Sequence, residues 1–203
     1  MFFDALTMAC VADQLRSTIL GGRIQQVLLP GPRAVGLEVY AGRQRHYLYA
    51  SAHSQQCRVH LSSEKLRRGV DKETGLLLIL RKHARGAVIA RIEQPPFERV
   101  LQLGLEHPEW GPVDLFIEVM GRHSNIILVD AAGRNLDAVK RVGPNLSPSR
   151  PVLPAQPYQP PPPQAKLSPS ALTEYRLRQM LAGSEPDGQV WQALVRGLRG
   201  ISP

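Results

Sequence analysis

Residues 116–130 read FIEVMGRHSNIILVD. Phe116 to Met120 and Ile126 to Val129 are two apolar runs of strand length, split by Gly121, Arg122, His123, Ser124 and Asn125. A tight reversal between antiparallel strands uses glycine, and asparagine tolerates the same backbone. It has no need of an arginine, a histidine and a serine in succession. The stretch therefore predicts a hairpin whose turn has two readings. In one, Arg122 offers a planar donor fork to phosphate, with His123 and Ser124 adding hydrogen bonds. In the other, His123 and Asn125 brace neighbouring loops. The residues alone leave both open.

The same two-residue period recurs on either side. IQQVLLP (24–30), AVGLEVY (34–40), HYLYAS (46–51), CRVHL (57–61), AVIARIEQ (87–94), ERVLQLGLE (98–106), VDLFIEVM (113–120), IILVD (126–130) and NLDAVKRV (135–142) read as strands. Ala41-Gly42-Arg43-Gln44 and Ala131-Ala132-Gly133-Arg134 are turns between them. Two helices interrupt the series. One spans about 4–20, capped by Asp4, with Leu6, Ala9, Leu15 and Ile19 as its apolar face and Gly21-Gly22 as its stop. The other spans about 72–84, with Asp71 as cap and the basic RKHAR in its last turns. Strands in hairpin succession with helices inserted predict an α+β fold, mainly an antiparallel β-sandwich over residues 1–147.

Composition changes near Gly143. Pro148, Pro151, Pro154, Pro157, Pro160 to Pro163 and Pro169 are nine of the 18 prolines, so residues 148–167 read as an extended, semi-rigid linker. Residues 168–203 read as a small helical unit, with helices at 167–181 and 187–198. Leu198-Arg199-Gly200-Ile201-Ser202-Pro203 fits the turn of a helix-hairpin-helix unit whose second helix does not follow. The expectation is that this chain is part of a longer protein. The helical piece should dock loosely or swing on the linker.

The balance of charge narrows the partners. Lys and Arg number 25 against 17 Asp and Glu, a net +8 and a pI near 10.0, which favours a polyanion, nucleic acid before an anionic membrane. Besides Arg122, the candidate basic contacts are Arg81, Lys82 and Arg85 at the end of the second helix, Lys140 and Arg141 at the end of the last strand, and a loop cluster of Lys65, Arg67 and Arg68. For Arg81, Lys82 and Arg85 the competing reading is complementation of the helix dipole. Two scattered cysteines, Cys10 and Cys57, make neither a disulfide framework nor a metal cluster. His46, His53 and His60 fall in different elements and form no zinc set. No apolar run approaches the roughly 20 residues that span a bilayer, and no signal peptide is read at the start. A reducing, cytoplasmic setting is expected. Paired carboxylates, a serine with a base and a glycine-rich phosphate loop are not visible, so no enzyme, cofactor or metal is predicted.

FDALTMACVADQL, GGRI (21–24), LRKHARGAVI (80–89), IEVMGRHSNIILVD (117–130) and VLPAQPYQPPP (152–162) together resemble the N-terminal domain of the NFACT family, proteins also labelled fibronectin-binding protein A. MGRHSNIILVD is the most specific of these. The resemblance covers residues 1 to about 165, with a partial helix-hairpin-helix after it. It implies a β-sandwich similar to that of the formamidopyrimidine-type DNA glycosylases. Their N-terminal-amine chemistry is not expected, since Met1 is followed by Phe2. It implies a role in ribosome-associated quality control: binding a large ribosomal subunit that holds peptidyl-tRNA, and recruiting tRNA, chiefly alanyl-tRNA, for template-free addition of alanine. It also directs attention to Glu98-Arg99, where the family commonly has Asp-Arg at a strand start implicated in tRNA handling. Under this resemblance Arg122 faces RNA while His123 and Asn125 hold the turn. Two rival readings remain, a fibronectin-binding adhesin and a nucleic-acid-binding glycosylase relic with lyase activity.

Overall fold

A computed structural model describes residues 3–70, 74–183 and 189–201. Nine strands form one sheet in which every neighbouring pair is antiparallel: β1 (Arg23–Gly31), β2 (Ala34–Ala41), β3 (Gln44–Ser51), β4 (Arg58–Ser62), β5 (Val88–Glu93), β6 (Val100–His107), β7 (Gly111–Glu118), β8 (Asn125–Asp130) and β9 (Asn135–Ala138). The order across the sheet is β4-β3-β2-β1-β5-β6-β7-β8-β9. It is two meanders joined at β1 and β5, where Arg23 pairs with Val88 and backbone bonds link residues 21–24 to 86–89 on either side. The sheet folds over about this joint, and β3 of one half meets β8 of the other. The α+β class and the antiparallel arrangement are those read from the hairpin pattern. The β2–β3 turn shows why that pattern is legible. Ala41 pairs with Gln44, and Gly42 and Arg43 both take positive φ, 55° and 63°, as a two-residue turn matched to strand twist requires.

Two helices bridge the halves. α1 (Ala5–Ile19) packs on β2 and β4 of one half and β5 and β6 of the other. Asp4 caps it, accepting from the Thr7 N–H at 2.7 Å. Its buried face is Ala5, Met8, Ala12, Leu15 and Ile19. The face predicted from Leu6 and Ala9 is therefore rotated: Leu6 is 63 % exposed. Ala5 and Ala12 have short side chains that let the helix lie close on the sheet, and Leu6 is left outside. α2 (Gly75–Ala84) packs on β1, β6 and β9. Its cap is Thr74, whose hydroxyl accepts from Leu77 N–H at 3.3 Å; Asp71, the expected cap, lies outside the described residues. One buried cluster runs through both helices and both halves, with Met8, Leu15, Leu37, Leu48, Leu80, Leu103 and Leu115 among its members. No helix among the described residues is long and apolar enough to cross a membrane.

The proline-rich segment begins packed on the sheet. Val142 pairs with Val152 and Arg134 with Pro157 as isolated bridges. Val152 is buried, and Tyr158 stacks on Phe116 with ring centroids 3.9 Å apart. Beneath this strap lies Glu118, fully buried. Its carboxylate takes two hydrogen bonds from the Arg150 guanidinium and one from the Tyr158 hydroxyl at 3.0 Å. Burial, and then the Glu118 charge, push the Tyr158 phenol far above its ordinary value. Prolines fix the path of a segment that lacks neighbours on one side, and the ion pair fixes its position.

Beyond the strap come α3 (Glu174–Ala182) and α4 (Val190–Gly197). Leu167 pairs with Leu198 in a parallel bridge. The following turn reaches the sheet: Gly200 accepts from Ala5 N–H at 3.4 Å and takes φ +79°, where a Cβ would lie 3.1–3.2 Å from Ala5 and Phe97. The helical unit thus touches the N-terminus of α1 through this turn.

Candidate nucleic-acid interface

The β5–β6 connection sets the centre of the site. Pro95 and Pro96 cannot continue a ladder, and the chain turns back through Phe97 at φ 58°. Glu98 N–H closes the turn on the Pro95 carbonyl at 3.0 Å. The Gln94 amide ties the turn to α1, donating to the carbonyls of Ala5 (2.9 Å) and Glu98 (2.8 Å). Arg99 carbonyl then accepts from Val119 N–H at 2.9 Å. Backbone bonds hold Glu98 and Arg99 in place, while their side chains have no ion-pair or hydrogen-bond partner among the described residues. Both are half-buried at the lip of the sheet.

The GRHSN turn lies beside them, and its five residues divide the work. Gly121–His123 form one 3-10 turn, with Gly121 at φ 57°. The Ser124 hydroxyl is buried and accepts from Met120 N–H at 2.7 Å. Asn125, also buried, donates to Lys140 carbonyl at 2.8 Å and accepts from Lys140 N–H at 2.9 Å. Ser124 and Asn125 are therefore the bracing pair, and Ser124 is not open to a ligand as its place among the candidate contacts requires. His123 is exposed rather than bracing. Its Nε2 accepts from Arg122 Nε at 2.9 Å, which steers the guanidinium while leaving its terminal nitrogens to solvent. Lys140 Nζ donates to Arg122 carbonyl at 2.9 Å. Burial, and next the positive charge of Arg33, hold that ammonium below the ordinary lysine value.

Glu98, Arg99, Arg122, His123, Lys140 and Arg150 line one cleft of about 580 Å³, roofed by Leu146 and by Pro161 and Pro162 of the strap. A second, of about 620 Å³, is lined by Arg99, Lys166, Arg196 and Gly200, where the helical unit meets the sheet. Arg99 and Gln164 belong to both, so the two form one groove. Its walls bring Arg99, Arg122, Lys140, Arg150, Lys166 and Arg196 together against one carboxylate, Glu98. Of these cations Arg150 is committed to Glu118, and Lys166 to Val195 carbonyl at 2.8 Å. Arg99 and Arg196 project without partners among the described residues.

Arg150, Lys166 and Arg196 were missed in the sequence because they lie in or after the proline-rich tract, where no local pattern says that the chain returns to the β6–β8 lip. Arg141 was expected here and is elsewhere. It grips the buried Asp137 with two hydrogen bonds of 2.8 and 2.9 Å and faces Gly75 of α2. Arg81, Lys82 and Arg85 are also elsewhere. They end α2 near the β6–β7 turn, where the His107 ring bonds Arg85 carbonyl at 3.0 Å. The full length of β6, about 24 Å at the usual rise per residue, separates that turn from Arg99.

The family model of the NFACT N-terminal and middle domains matches residues 4–203. The protein called Rqc2 homolog RqcH is 32% identical in Streptococcus pneumoniae over 203 residues, 98% of this chain and 37% of the relative. In Bacillus subtilis the protein of that name is 33% identical over 208 residues, 100% of this chain and 36% of the relative. The chain thus spans little more than a third of those relatives. Among solved structures, the N-terminal domain of fibronectin-binding protein PavA from Streptococcus pneumoniae superposes with a TM-score of 0.86 at 30% identity, covering 99% of this chain and 76% of that one. The N-terminal part of a fibronectin/fibrinogen-binding protein from Streptococcus suis gives 0.85 at 31%, covering 99% and 76%.

Proposed function

The chain belongs to the NFACT family, and on that premise we propose that it is the RNA-binding, non-enzymatic N-terminal part of a cytoplasmic ribosome-associated quality control factor. The factor engages an obstructed large ribosomal subunit and recruits tRNA, chiefly alanyl-tRNA, for template-free alanine addition to the stalled chain. The observation that carries the RNA-binding reading is the groove centred on Arg99. Several cations converge there on one wall-lining carboxylate, and a concave surface of one sign focuses field lines on a polyanion.

Within the groove the roles follow from commitment. Arg99, Arg122 and Arg196 have terminal donors to give, and a planar fork suits phosphate or a base edge. Arg150 and Lys166 keep the floor and wall in place and add field. Glu98 is unfavourable beside a phosphate. Its place is opposite an exocyclic amino group of a base, or beside Arg99 as an orienting partner once RNA is bound.

The test is equilibrium binding of tRNA to this chain over a salt series. Each phosphate neutralised contributes about 0.7–0.9 to the log–log slope, so contacts from Arg99, Arg122 and Arg196 give a slope of roughly −2 to −3. Arg99→Ala should weaken binding about five- to tenfold and flatten the slope by about one. Salt-independent binding, or an Arg99→Ala affinity equal to the parent's, would remove this reading. Capture by a fibronectin fragment with no affinity for tRNA would favour the adhesion role named for the structural relatives.

A further inference from the structure

Trp110 sits at the apex of the β6–β7 turn, 43 % exposed. Its position is fixed by more than the turn. His107 Nδ1 accepts from the N–H groups of Glu109 (3.1 Å) and Trp110 (3.2 Å). Nε2 therefore carries the ring proton and donates to Arg85 carbonyl at 3.0 Å. That bond pins the turn to the end of α2. Lys82 Nζ lies over the indole, 4.1 Å from its centroid, and the His83 ring meets it edge-on at 6.2 Å. Arg23 reaches across from β1 to donate to Gly86 carbonyl at 2.7 Å. An exposed, oriented indole thus lies under Lys82, with Arg85 and Arg23 carried by the adjoining end of α2 and of β1.

Two carboxylates are close in sequence. Glu106 points to the opposite sheet face, where it borders a small cleft with Arg91 and Asp114. Glu109 shares the turn with Trp110 and is the acidic member of the rim.

Helix-dipole complementation accounts for basic residues at the end of α2. It does not account for a tryptophan held outward among them. A large, rigid aromatic beside several cations is the composition of a platform for single-stranded nucleic acid, in which a base stacks and flanking phosphates meet the charges.

We propose that Trp110, Lys82, Arg85 and Arg23 form a second RNA contact, stacking an unpaired base and holding its flanking phosphates, at the end of the sheet opposite the Arg99 groove. The two surfaces are about one β6 length apart, roughly 24 Å, which exceeds the few ångströms between adjacent phosphates. They grip separate stretches of one folded RNA or two RNA molecules. This extends the reading above by taking the same class of partner, yet the platform stands on its own geometry.

The experiment uses the 203-residue chain with Trp191→Phe, which leaves Trp110 as its only tryptophan. A tetra-adenylate, too short to bridge both surfaces, is titrated while indole fluorescence is followed. Stacking should quench Trp110, and the affinity should fall as salt rises. Lys82→Gln with Arg85→Gln, both exposed positions, should weaken binding roughly tenfold and flatten the slope by about 1.4, the value for two counterions on a single strand. Arg99→Ala should leave the quench untouched, so failure of the groove and failure of the platform read out separately. Inorganic polyphosphate, which has charge without bases, should compete without quenching. Absence of quenching, or equal affinity in the double glutamine variant with an unchanged circular dichroism spectrum, overturns the proposal. So does tighter binding of polyglutamate than of tetra-adenylate, which would assign the patch to an acidic protein.

Discussion

Replacing Arg150 by methionine probes what holds the groove's roof in place. The guanidinium makes a two-point bond to Glu118 and a further bond of 2.7 Å to Gln159 carbonyl. Glu118 is fully buried, and the Arg150 side chain is only 16 % exposed, so solvent screens the pair little. Removing one partner of a buried ion pair costs about 3–5 kcal/mol, because the other charge stays behind uncompensated. The Tyr158 hydroxyl still solvates Glu118 at 3.0 Å, which places the cost near the lower end. The lost bond to Gln159 adds about 1 kcal/mol, for a total of about 4. For a chain of this size that is roughly 8–16 °C in Tm. Glu118→Gln in the same chain removes the stranded charge, and the amide oxygen still accepts from Tyr158. The double variant should therefore recover about 2 kcal/mol relative to Arg150→Met alone. Urea unfolding of the parent, both single variants and the double closes the cycle. A cost below about 1 kcal/mol for Arg150→Met, or strict additivity, would show that the ion pair does not hold the strap and that its backbone bridges, buried Val152 and the Phe116–Tyr158 stack do.

Other perturbations separate the fold from the site. Arg99→Ala should leave urea unfolding unchanged within about 0.5 kcal/mol, since its side chain has no partner among the described residues; a larger loss would make it a structural residue. In the longer protein, Glu98→Asp should keep alanine tailing and Glu98→Ala should impair it, measured at matched protein levels; equal tailing by both would dismiss the carboxylate. Gly200→Ala forces a Cβ into a left-handed residue 3.1–3.2 Å from Ala5 and Phe97. It should cost about 1–2 kcal/mol and speed amide exchange at Ala5, where protection equal to the parent's would show the turn is not seated. Burial, then Lys82 and His107, hold His83 below its ordinary 6.5, and burial, then Arg58, do the same to His60. Their folded values are depressed, so this stability is present above about pH 6.5 and is lost as pH falls through the folded values. His83→Gln should flatten the drop in Tm from pH 7 to 5, and an unchanged profile would contradict the assignment.

The hairpins were legible because each is a local event. Gly42-Arg43 can take positive φ, and Asp130 at the β8–β9 turn accepts from Ala132 and Arg134 N–H groups through one side-chain oxygen. Asp4 was legible as a cap for the same reason. The packed face of α1 was not. Alanines at 5 and 12 carry little hydrophobic signal, and their burial depends on how closely the sheet approaches. The packing of the strap on the sheet is not legible, because its anchors join residues 32 to 42 positions apart: Arg150 with Glu118, and Tyr158 with Phe116. In the site, Glu98, Arg99, Arg122, His123 and Lys140 do converge, whereas Arg81, Lys82 and Arg85 do not. Which end of β6 receives the end of α2 is decided by strand order across the whole sheet, and no window of sequence contains it.

RNA bound as proposed lies in the groove where the helical unit meets the sheet. Gln164 borders both of its clefts, whereas Gln14 is exposed on α1, away from the groove. A photoreactive benzoylphenylalanine replaces each in turn, and the chain is irradiated with labelled tRNA at moderate salt. Position 164 should give a crosslink that Arg99→Ala suppresses, and position 14 none above background. Equal crosslinking from both positions, or none from 164 under conditions where the chain binds tRNA, would contradict that placement.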